Sequence, residues 1–402
     1  MNKSNTIQKA EVLLKSLAIP HVPQDSEVEA LIDQWLHAIA TDSQLFCRKE
    51  LASADNLKKE VIARLESEGV FTDRLDFFNQ VFGGLELKPS ANGSFKFIDL
   101  FAGIGGIRLP FDEIGGECVF SSEIDKFARQ TYQANFGEEP NGDITLIEPN
   151  EIPKFDLLLA GFPCQPFSQA GLQKGFGDTR GTLFFYIAKI IEHHQPSVVL
   201  LENVKRLKTH DKGKTYRVMQ ETLESLGYKV TSQILAAKDF GIPQNRERIY
   251  IVALKDGTSF NFPKPTMQKT KVGDILETEV PEKYTISDRL WEGHQRRKRE
   301  HKTKGNGFGY SLVNQESTHT NTISARYYKD GSEILVNQGN NKNPRKIIPR
   351  EAARLQGFPD SYKIVVSDVQ AYKQFGNSVC VPVVRAICHK LQPVLETISE
   401  NF

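Results

Sequence analysis

The sequence predicts a doubly wound α/β domain that is preceded by a helical extension and followed by a small irregular domain. From residue 94 to about residue 264, short apolar runs alternate with amphipathic helical patterns, which is typical of parallel strands joined by crossover helices. Several runs end in glycine or in carboxylate and amide residues, as expected where strands deliver loops to one edge of a sheet. Before residue 93 the pattern is helical, and after residue 264 regular periodicity fades.

The overall composition is that of an ordinary globular protein with room for more than one domain. The chain has 402 residues, of which 39% are hydrophobic and 25% are charged, so two or three domains are expected. No apolar stretch approaches the ~20 residues of a membrane span, and the first residues lack the pattern of a secretion signal. We therefore predict a cytoplasmic protein that does not contact membranes.

The five cysteines indicate neither a disulfide framework nor a metal site. They are odd in number and scattered, without paired spacing and without an accompanying histidine cluster. We therefore predict no bound metal. The cysteines are at positions 47, 118, 164, 380 and 388.

Residues 1–92 are predicted to form a helical extension separate from the sheet domain. Three apolar stripes recur at helical spacing, starting at Leu13, Val28 and Leu57, and residues 88–93 have the composition of a linker. A regulatory helix-turn-helix that contacts promoter DNA is one interpretation. Against it, the segment has 10 Lys and Arg residues for 14 Asp and Glu residues and lacks a basic recognition helix.

The sheet domain, residues 93–264, is predicted to contain strands and helices in alternation. Strands are predicted at 95–101, 115–120, 155–160, 197–201, 229–236 and 248–254, with a further strand ending at Asp143. Helices are predicted at 126–136, 182–194 and 214–226. Residues 265–366 form the irregular domain, and residues 367–402 a closing segment that returns to the sheet domain.

A glycine turn comes after the first predicted strand. It contains Gly103, Gly105 and Gly106, but Arg108 stands where a dinucleotide-binding turn has its third glycine. The turn therefore indicates a nucleotide or nucleoside ligand without deciding which one.

Carboxylates at later strand ends narrow the choice of cofactor. Glu123, at the end of the second strand, can accept hydrogen bonds from both ribose hydroxyls, and Asp143 can accept one from an exocyclic adenine amine. No basic residue is placed for a phosphate, so S-adenosylmethionine fits, with its sulfonium against the face of Phe101. NAD is the alternative cofactor, and helix capping is the alternative role of both carboxylates.

Cys164 lies on a stiff turn after a buried strand. Pro163 and Pro166 restrict the backbone on either side of it, which suits a positioned nucleophile. The alternative is a buried cysteine that packs as a small hydrophobic residue. Gln165 and Ser168 favour a loop that reaches solvent.

Five sequence blocks occur in an order that resembles the DNA cytosine-5 methyltransferase family. They are FAGIGG at 101–106, GFPCQPFS at 161–168, ENV at 202–204, QNRER at 244–248 and QFGNSV at 374–379. The resemblance covers about residues 94–390 and implies a Rossmann-like, S-adenosylmethionine-dependent domain, with target recognition by residues 265–366. Asn245, where a basic residue is frequent, and Ile124, where an aromatic residue often flanks the adenine, depart from the commoner pattern.

The resemblance implies a catalytic role for four residues. Cytosine C5 is a poor nucleophile, so the Cys164 thiolate adds to C6 first. A protonated Glu202 donates to N3 and accepts from the N4 amine, while Arg248 donates to O2 and orients the ring. Arg246 pairs with a carboxylate or a phosphate. A buried ion pair that holds strand ends together is the alternative role of Glu202 and Arg248.

The resemblance also implies two sets of binding residues. The cofactor set adds Ile124, Ile144, Pro163, Asn377 and Ser378 to the residues of the glycine turn and the two carboxylates. Residues 265–350 have 16 Lys and Arg residues for 10 Asp and Glu residues, which favours a polyanion surface. The predicted DNA contacts are Ser168, Gln169, Arg296, Arg297, Lys304, Arg326, Tyr327 and Lys329.

The predicted substrate is double-stranded DNA, with the target cytosine flipped out of the helix. The recognition segment is similar to that of bacterial enzymes that act on CCGG, CCWGG or CCNGG, which implies a monomeric methyltransferase of a type II restriction-modification system. An RNA cytosine-5 methyltransferase is one alternative, because the thiol chemistry is the same. A DNA-binding transcriptional regulator that acts through the N-terminal helices is another.

Overall fold

A computed structural model of the chain describes most of its residues. The described residues are 4–22, 27–43, 45, 51–87, 93–163, 183–266, 268–305, 307, 309–339 and 341–399. Cys164, Ser168 and Gln169 lie outside them, so their roles stay predictions. Among the described residues, no helix is both long enough and apolar enough to cross a membrane.

The described chain divides into two compact units. The first comprises Met1–Ile234, Arg248–Phe262 and Ile387–Phe402, and the second Leu235–Glu247 and Pro263–Ala386. The segment predicted to recognise the target, residues 265–366, falls within the second unit. The closing segment is divided at Ile387 and does not return to the first unit as a whole.

The elements of the first unit alternate between helices and strands after an all-helical start. The helices are α1 (Asn5–Ala18), α2 (Val28–Thr41), α3 (Leu51–Ser67), α4 (Arg74–Phe82), α5 (Arg108–Glu113), α6 (Lys126–Phe136), α7 (Leu183–His194) and α8 (Lys214–Ser225). The strands are β1 (Phe95–Leu100), β2 (Gly116–Ser122), β3 (Leu157–Gly161), β4 (Val198–Val204), β5 (Lys229–Ala236) and β6 (Glu247–Leu254).

The six strands form one sheet in the order β2-β1-β3-β4-β6-β5. Strands β1 to β4 pair in parallel, and β6 is antiparallel to β4. The chain runs from β1 to β2 on one side and then to β3 on the other, so the winding direction reverses beside β1. Ligands of doubly wound sheets collect outside the carboxyl ends of the strands at such a point. The predicted doubly wound α/β class is confirmed.

The N-terminal helices belong to the first unit, whereas the sequence predicts an extension separate from the sheet domain. Leu14, Trp35 and Phe77 lie in the same hydrophobic cluster as Ile98 and Leu158 of the sheet. Helix α2 is buried at every position from residue 30 to residue 41, as expected of a helix inside a core. Its apolar stripe predicts a helix, but a stripe does not show which surface it covers.

The second unit combines helices with a small sheet. Its sheet has the order β7-β8-β9, with β7 (Leu312–Val313), β8 (Leu335–Val336) and β9 (Arg345–Lys346). Its helices include α9 (Asp288–Thr303), α10 (Pro349–Arg354), α11 (Asp368–Asn377) and the start of α12 (Val381–Ser399). The sequence pattern does not indicate α9, because His294 is its only buried residue and the helix has no apolar stripe.

Candidate active site

Three strand ends bring predicted catalytic residues of the first unit together. In the sheet, Gly161 at the end of β3 pairs with Glu202 of β4, and Val204 of β4 pairs with Arg248 of β6. The chain leaves β3 toward Cys164, which itself lies outside the described residues. Glu202 is therefore next to the end of β3, the strand that precedes the predicted nucleophile, and Arg248 is one strand farther along the sheet.

Glu202 and Arg248 form an ion pair at this edge of the sheet. Arg248 Nε lies 3.2 Å from Glu202 Oε1, and the side chains of Arg248 and Glu202 are 16% and 11% exposed respectively. A Cβ atom at Gly161 would lie 3.8 Å from Glu202 Oε2, so the other carboxylate oxygen lies against the end of β3. This geometry agrees with both predicted roles, an ion pair between strand ends and a donor pair for the edge of a pyrimidine.

Asn203 is a residue of this site that the sequence does not single out. Its side-chain amide donates to the backbone carbonyl of Phe162 at 2.8 Å, and its carbonyl oxygen accepts from the Val204 amide at 2.8 Å. Asn203 therefore holds the backbone two residues before Cys164. Its position inside the ENV block is the signal that could have indicated it.

Glu123 is held at the end of β2 by two backbone hydrogen bonds. The Gly103 amide donates to one carboxylate oxygen at 2.8 Å, and the Asp125 amide donates to the other at 2.8 Å. Burial raises the pKa of Glu123, and these hydrogen bonds oppose the shift. Each carboxylate oxygen has a second lone pair, so this arrangement fits the two ribose hydroxyls of an adenosyl group.

The glycine turn leaves β1 through left-handed backbone conformations. The φ angles are 55° at Phe101, 56° at Gly103 and 78° at Gly105, and a bulky residue such as phenylalanine adopts this region only at an energetic cost. A Cβ atom at Gly105 would lie 2.1 Å from the Phe136 ring. Glycine is therefore required there by both the φ angle and the close packing. Gly106 is the next residue of the same buried turn.

The remaining predicted cofactor residues of the first unit differ in exposure. Ile124 is 67% exposed beside Glu123 and can cover one face of an adenine, whereas Ile144 is only 3% exposed. Pro163 is exposed at the last described position before Cys164. These residues fit an adenosyl ligand at the carboxyl ends of β1 and β2 better than a dinucleotide, because the described turn lacks a third glycine.

Asp143 does not end a strand as predicted. Within the described chain, only an isolated bridge joins Asn141 to Ser122 at that place. The Asp143 carboxylate instead accepts from the Thr145 amide at 2.9 Å and caps a short 3-10 helix, Ile144–Leu146. This is the capping role that the sequence leaves open as the alternative.

Behind the glycine turn lies a fully buried arginine with charged partners. Arg108 donates to Asp112 at 2.7 Å, to the Tyr132 hydroxyl at 2.8 Å and to Glu138. Its guanidinium also lies 4.5 Å from the centre of the Phe136 ring, the ring that packs on Gly105. The sequence shows only that Arg108 replaces a glycine, and its role in supporting the turn comes from the structure.

In the second unit, Arg246 connects three backbone segments. It is 2% exposed and donates to the carbonyl oxygens of Ile323, Gly376 and Ser378 at 3.3, 3.2 and 2.5 Å. The sequence predicts a carboxylate or phosphate partner, but these contacts are with carbonyl oxygens and give Arg246 a structural role. Its predicted part in catalysis stays a prediction.

Asn377 and Ser378 end α11 in a tightly packed turn. A Cβ atom at Gly376 would lie 2.3 Å from the backbone of Ser324, so only glycine fits before them. Asn377 is exposed, and Ser378 is partly buried. Their assignment to the cofactor stays a prediction.

Comparison with known proteins identifies the family. The family model described as C-5 cytosine-specific DNA methylase matches residues 95–393. The chain belongs to this family. It is a DNA cytosine-5 methyltransferase, and S-adenosylmethionine is its methyl donor, as the glycine turn and Glu123 suggest.

Two curated relatives and one solved structure illustrate the similarity. The chain is 56% identical over 361 residues to the type II methyltransferase M1.ScrFI of Lactococcus lactis subsp. cremoris, covering 87% of this chain and 92% of the relative. It is 63% identical over 311 residues to M.NlaX of Neisseria lactamica, covering 76% and 99% respectively. The crystal structure of S. pombe Dnmt2 methyltransferase shares the fold, with a TM-score of 0.62 and 23% identity over 75% of this chain and 99% of that one.

The residues of the methyltransferase that are predicted to contact DNA differ in solvent exposure. Arg296 is 71% exposed on α9, and Lys304, Arg326 and Lys329 are also exposed. Arg297 is half-exposed and pairs with Asp330, with a 3.2 Å separation between its Nη2 and a carboxylate oxygen. The exposed residues are accessible to a phosphate or a base edge, and their contacts with DNA stay predictions.

The prediction that Tyr327 contacts DNA is wrong. Its side chain is completely buried, and its hydroxyl donates to Ile334 at 2.7 Å and accepts from the Ile347 amide at 2.9 Å. Its ring also lies 5.1 Å from that of Tyr372. Tyr327 is therefore a core residue of the second unit and does not present a surface to DNA.

Proposed function

We propose that this methyltransferase modifies C5 of a flipped-out cytosine in a short CC…GG palindrome of double-stranded DNA, and thereby protects DNA from a cognate restriction endonuclease. The curated relatives M1.ScrFI and M.NlaX are named type II methyltransferases, which supports the restriction-modification role. The similarity of the recognition segment to enzymes that act on CCGG, CCWGG or CCNGG supports the palindrome. This role requires access to the bacterial chromosome, so we place the enzyme in the cytoplasm.

The observation that carries the proposal is the Glu202–Arg248 pair beside the end of β3. A thiolate that attacks cytosine C6 pushes electron density toward N3 and O2, and donors at those atoms stabilise it. The 3.2 Å contact between Arg248 and Glu202 orders two side chains on β4 and β6, and Glu202 pairs with the last residue of β3, the strand that precedes Cys164. Glu202 would act at N3 and N4, and Arg248 at O2.

The proposed reaction is covalent. The Cys164 thiolate bonds to C6, and the resulting enamine makes C5 nucleophilic. S-adenosylmethionine supplies a methyl group bound to a positively charged sulfur. Once C5 is methylated, loss of the C5 proton and cleavage of the C6–S bond regenerate both the aromatic ring and the thiolate.

The proposal includes a monomeric enzyme that uses one active site per chain. Promoter binding by residues 1–92 is a separate prediction that is not needed for methylation. No observation favours it, because α2 is buried within the first unit and the segment has an acidic excess.

The first prediction is that bisulfite sequencing of plasmid DNA treated with the enzyme will reveal 5-methylcytosine at one position of a CC…GG palindrome. The plasmid should carry all three candidate sequences, and a reaction without S-adenosylmethionine is the control. Methylation of CCGG alone, of CCWGG alone or of all CCNGG sites would define the central bases. Methylation outside such palindromes would contradict the proposed specificity, and no methylcytosine in duplex DNA would contradict the proposed substrate.

A further inference from the structure

A buried glutamine of the N-terminal helices bridges two points of the loop after α6. Gln34 of α2 is 7% exposed. Its Nε2 donates to the carbonyl of Glu139 at 3.1 Å, and its Oε1 accepts from Nδ2 of Asn141 at 2.6 Å. Both ends of the amide are therefore used, which fixes the orientation of the side chain and the separation of its two partners.

Asn141 continues this connection to the end of β2. Asn141 is completely buried. Its backbone N–H donates to the backbone carbonyl of Ser121 at 2.9 Å, and its backbone carbonyl accepts from the backbone N–H of Glu123 at 2.7 Å. The backbone of Glu123, whose carboxylate faces the glycine turn, is thus two hydrogen bonds from Gln34. Asn141 is the residue shared by these two hydrogen bonds.

Other side chains of α2 contact the same region. Asp33 accepts from Gln133 at the end of α6, and His37 Nδ1 lies 3.7 Å from a carboxylate oxygen of Glu138. Three polar residues on one helix thus face α6 and the loop after it. Since burial of a polar group is costly unless it is paired, these contacts fix α2 against the loop more specifically than apolar packing alone would.

We propose that Gln34 is a positioning residue for S-adenosylmethionine. It holds residues 139–141 in place and, through the Asn141 backbone, sets the position of Glu123 against the ribose of the cofactor. The inference rests on the proposed assignment of Glu123 to the cofactor. The N-terminal helices then have a part in methyl transfer that does not require them to bind DNA.

A purely structural role of Gln34 predicts a different pattern of effects. If Gln34 only stabilises the fold, replacing it should lower the melting temperature without selectively weakening the binding of one substrate. If Gln34 positions Glu123, replacing it should raise the Kd and KM for S-adenosylmethionine, while kcat and the KM for DNA stay nearly constant. The split between these constants separates the two roles.

The test compares Gln34→Met with a matched control, Gln80→Met, in the full-length enzyme. Methionine keeps the length of the side chain and removes both hydrogen bonds of Gln34. Gln80 donates to Asp76 on its own helix, α4, at 2.5 Å. With two hydrogen bonds lost, we expect Gln34→Met to raise the Kd for S-adenosylmethionine about five- to tenfold, as measured by calorimetry, and Gln80→Met to leave it unchanged.

A third variant, Glu123→Gln, shows whether a negative result refutes only the role of Gln34 or also the assignment of Glu123 to the cofactor. If Glu123→Gln weakens binding of S-adenosylmethionine while Gln34→Met does not, the inference is wrong and the cofactor site stands. If Glu123→Gln binds S-adenosylmethionine as tightly as the wild type does, both the inference about Gln34 and the assignment of Glu123 to the cofactor are wrong. If Gln34→Met lowered kcat and raised the KM for S-adenosylmethionine and the KM for DNA by similar factors, the positioning role would also be overturned.

Discussion

Replacing Glu202 with glutamine is expected to lower kcat about 10²- to 10³-fold, the usual cost of removing one group that stabilises charge in a transition state. Glutamine keeps the shape and the position at the end of β4 but cannot transfer a proton to N3. The contact with Arg248, now 3.2 Å to a carboxylate oxygen, would also lose its charge. Initial rates of radiolabelled methyl transfer to duplex DNA measure the effect.

The control for this variant is Glu192→Gln, which removes an exposed carboxylate from α7. It should leave kcat unchanged. The Kd for S-adenosylmethionine should be the same in both variants, because Glu123, the residue predicted to bind the cofactor, lies at the end of a different strand, β2. A Glu202→Gln enzyme with nearly normal kcat would show that the Glu202–Arg248 pair serves only to join strand ends.

Replacing Arg108 with methionine is expected to lower the free energy of unfolding by about 3–5 kcal/mol, the cost of leaving buried charges without their partner. The guanidinium is the shared partner of Asp112, Tyr132 and Glu138. Its loss would also loosen Phe136, on which Gly105 packs. Urea unfolding followed by circular dichroism measures the change.

The decrease in the free energy of unfolding caused by Arg108→Met should become larger as pH rises. Burial raises the pKa of Asp112 to about 6 and also raises that of Glu138, while Arg108 lowers both. Without Arg108 both pKa values rise further. A carboxyl group whose pKa is higher in the folded than in the unfolded state contributes stability that is lost as pH rises through the folded pKa. The difference in free energy of unfolding between the variant and the wild type should therefore be smaller at about pH 5 than at about pH 8.

The matched control is Lys15→Met, which breaks an exposed ion pair. Lys15 and Glu29 lie 2.9 Å apart and are 56% and 57% exposed, so the expected change is below about 1 kcal/mol. If Arg108→Met cost no more than Lys15→Met, or if its cost did not depend on pH, the buried network would not be the support of the glycine turn that we describe.

Local pattern predicts the six strands of the sheet and the carboxylates at the ends of β2 and β4, but it wrongly predicts a further strand ending at Asp143, which caps a short 3-10 helix instead. Strand β3 is buried at four of its five positions, and a continuous apolar run is what a parallel strand covered on both faces requires. Because parallel strands end at one edge, the positions of Glu123 and Glu202 after apolar runs placed both carboxylates correctly. Their neighbours Gly103 and Arg248 were indicated by sequence blocks of the family.

Features that depend on distant contacts could not be predicted in the same way. The apolar stripe of α2 predicts a helix, but it does not indicate that Gln34 and Asn141 meet across more than a hundred residues. Tyr327, in a basic and polar segment, has the sequence context of a surface residue and is instead buried. A polar side chain can be placed in a core only when its hydrogen-bond partners are known, and these come from the tertiary structure.

The most direct test of the central claim is covalent capture of the enzyme on duplex DNA that carries 5-fluorocytosine at the target position. Fluorine at C5 cannot leave as a proton does, so the bond between Cys164 and C6 should persist after methyl transfer. We expect a denaturant-resistant complex with the wild type and with Cys388→Ala, which removes a different cysteine, and none with Cys164→Ala. A stable complex in the Cys164→Ala enzyme would contradict covalent catalysis by this residue.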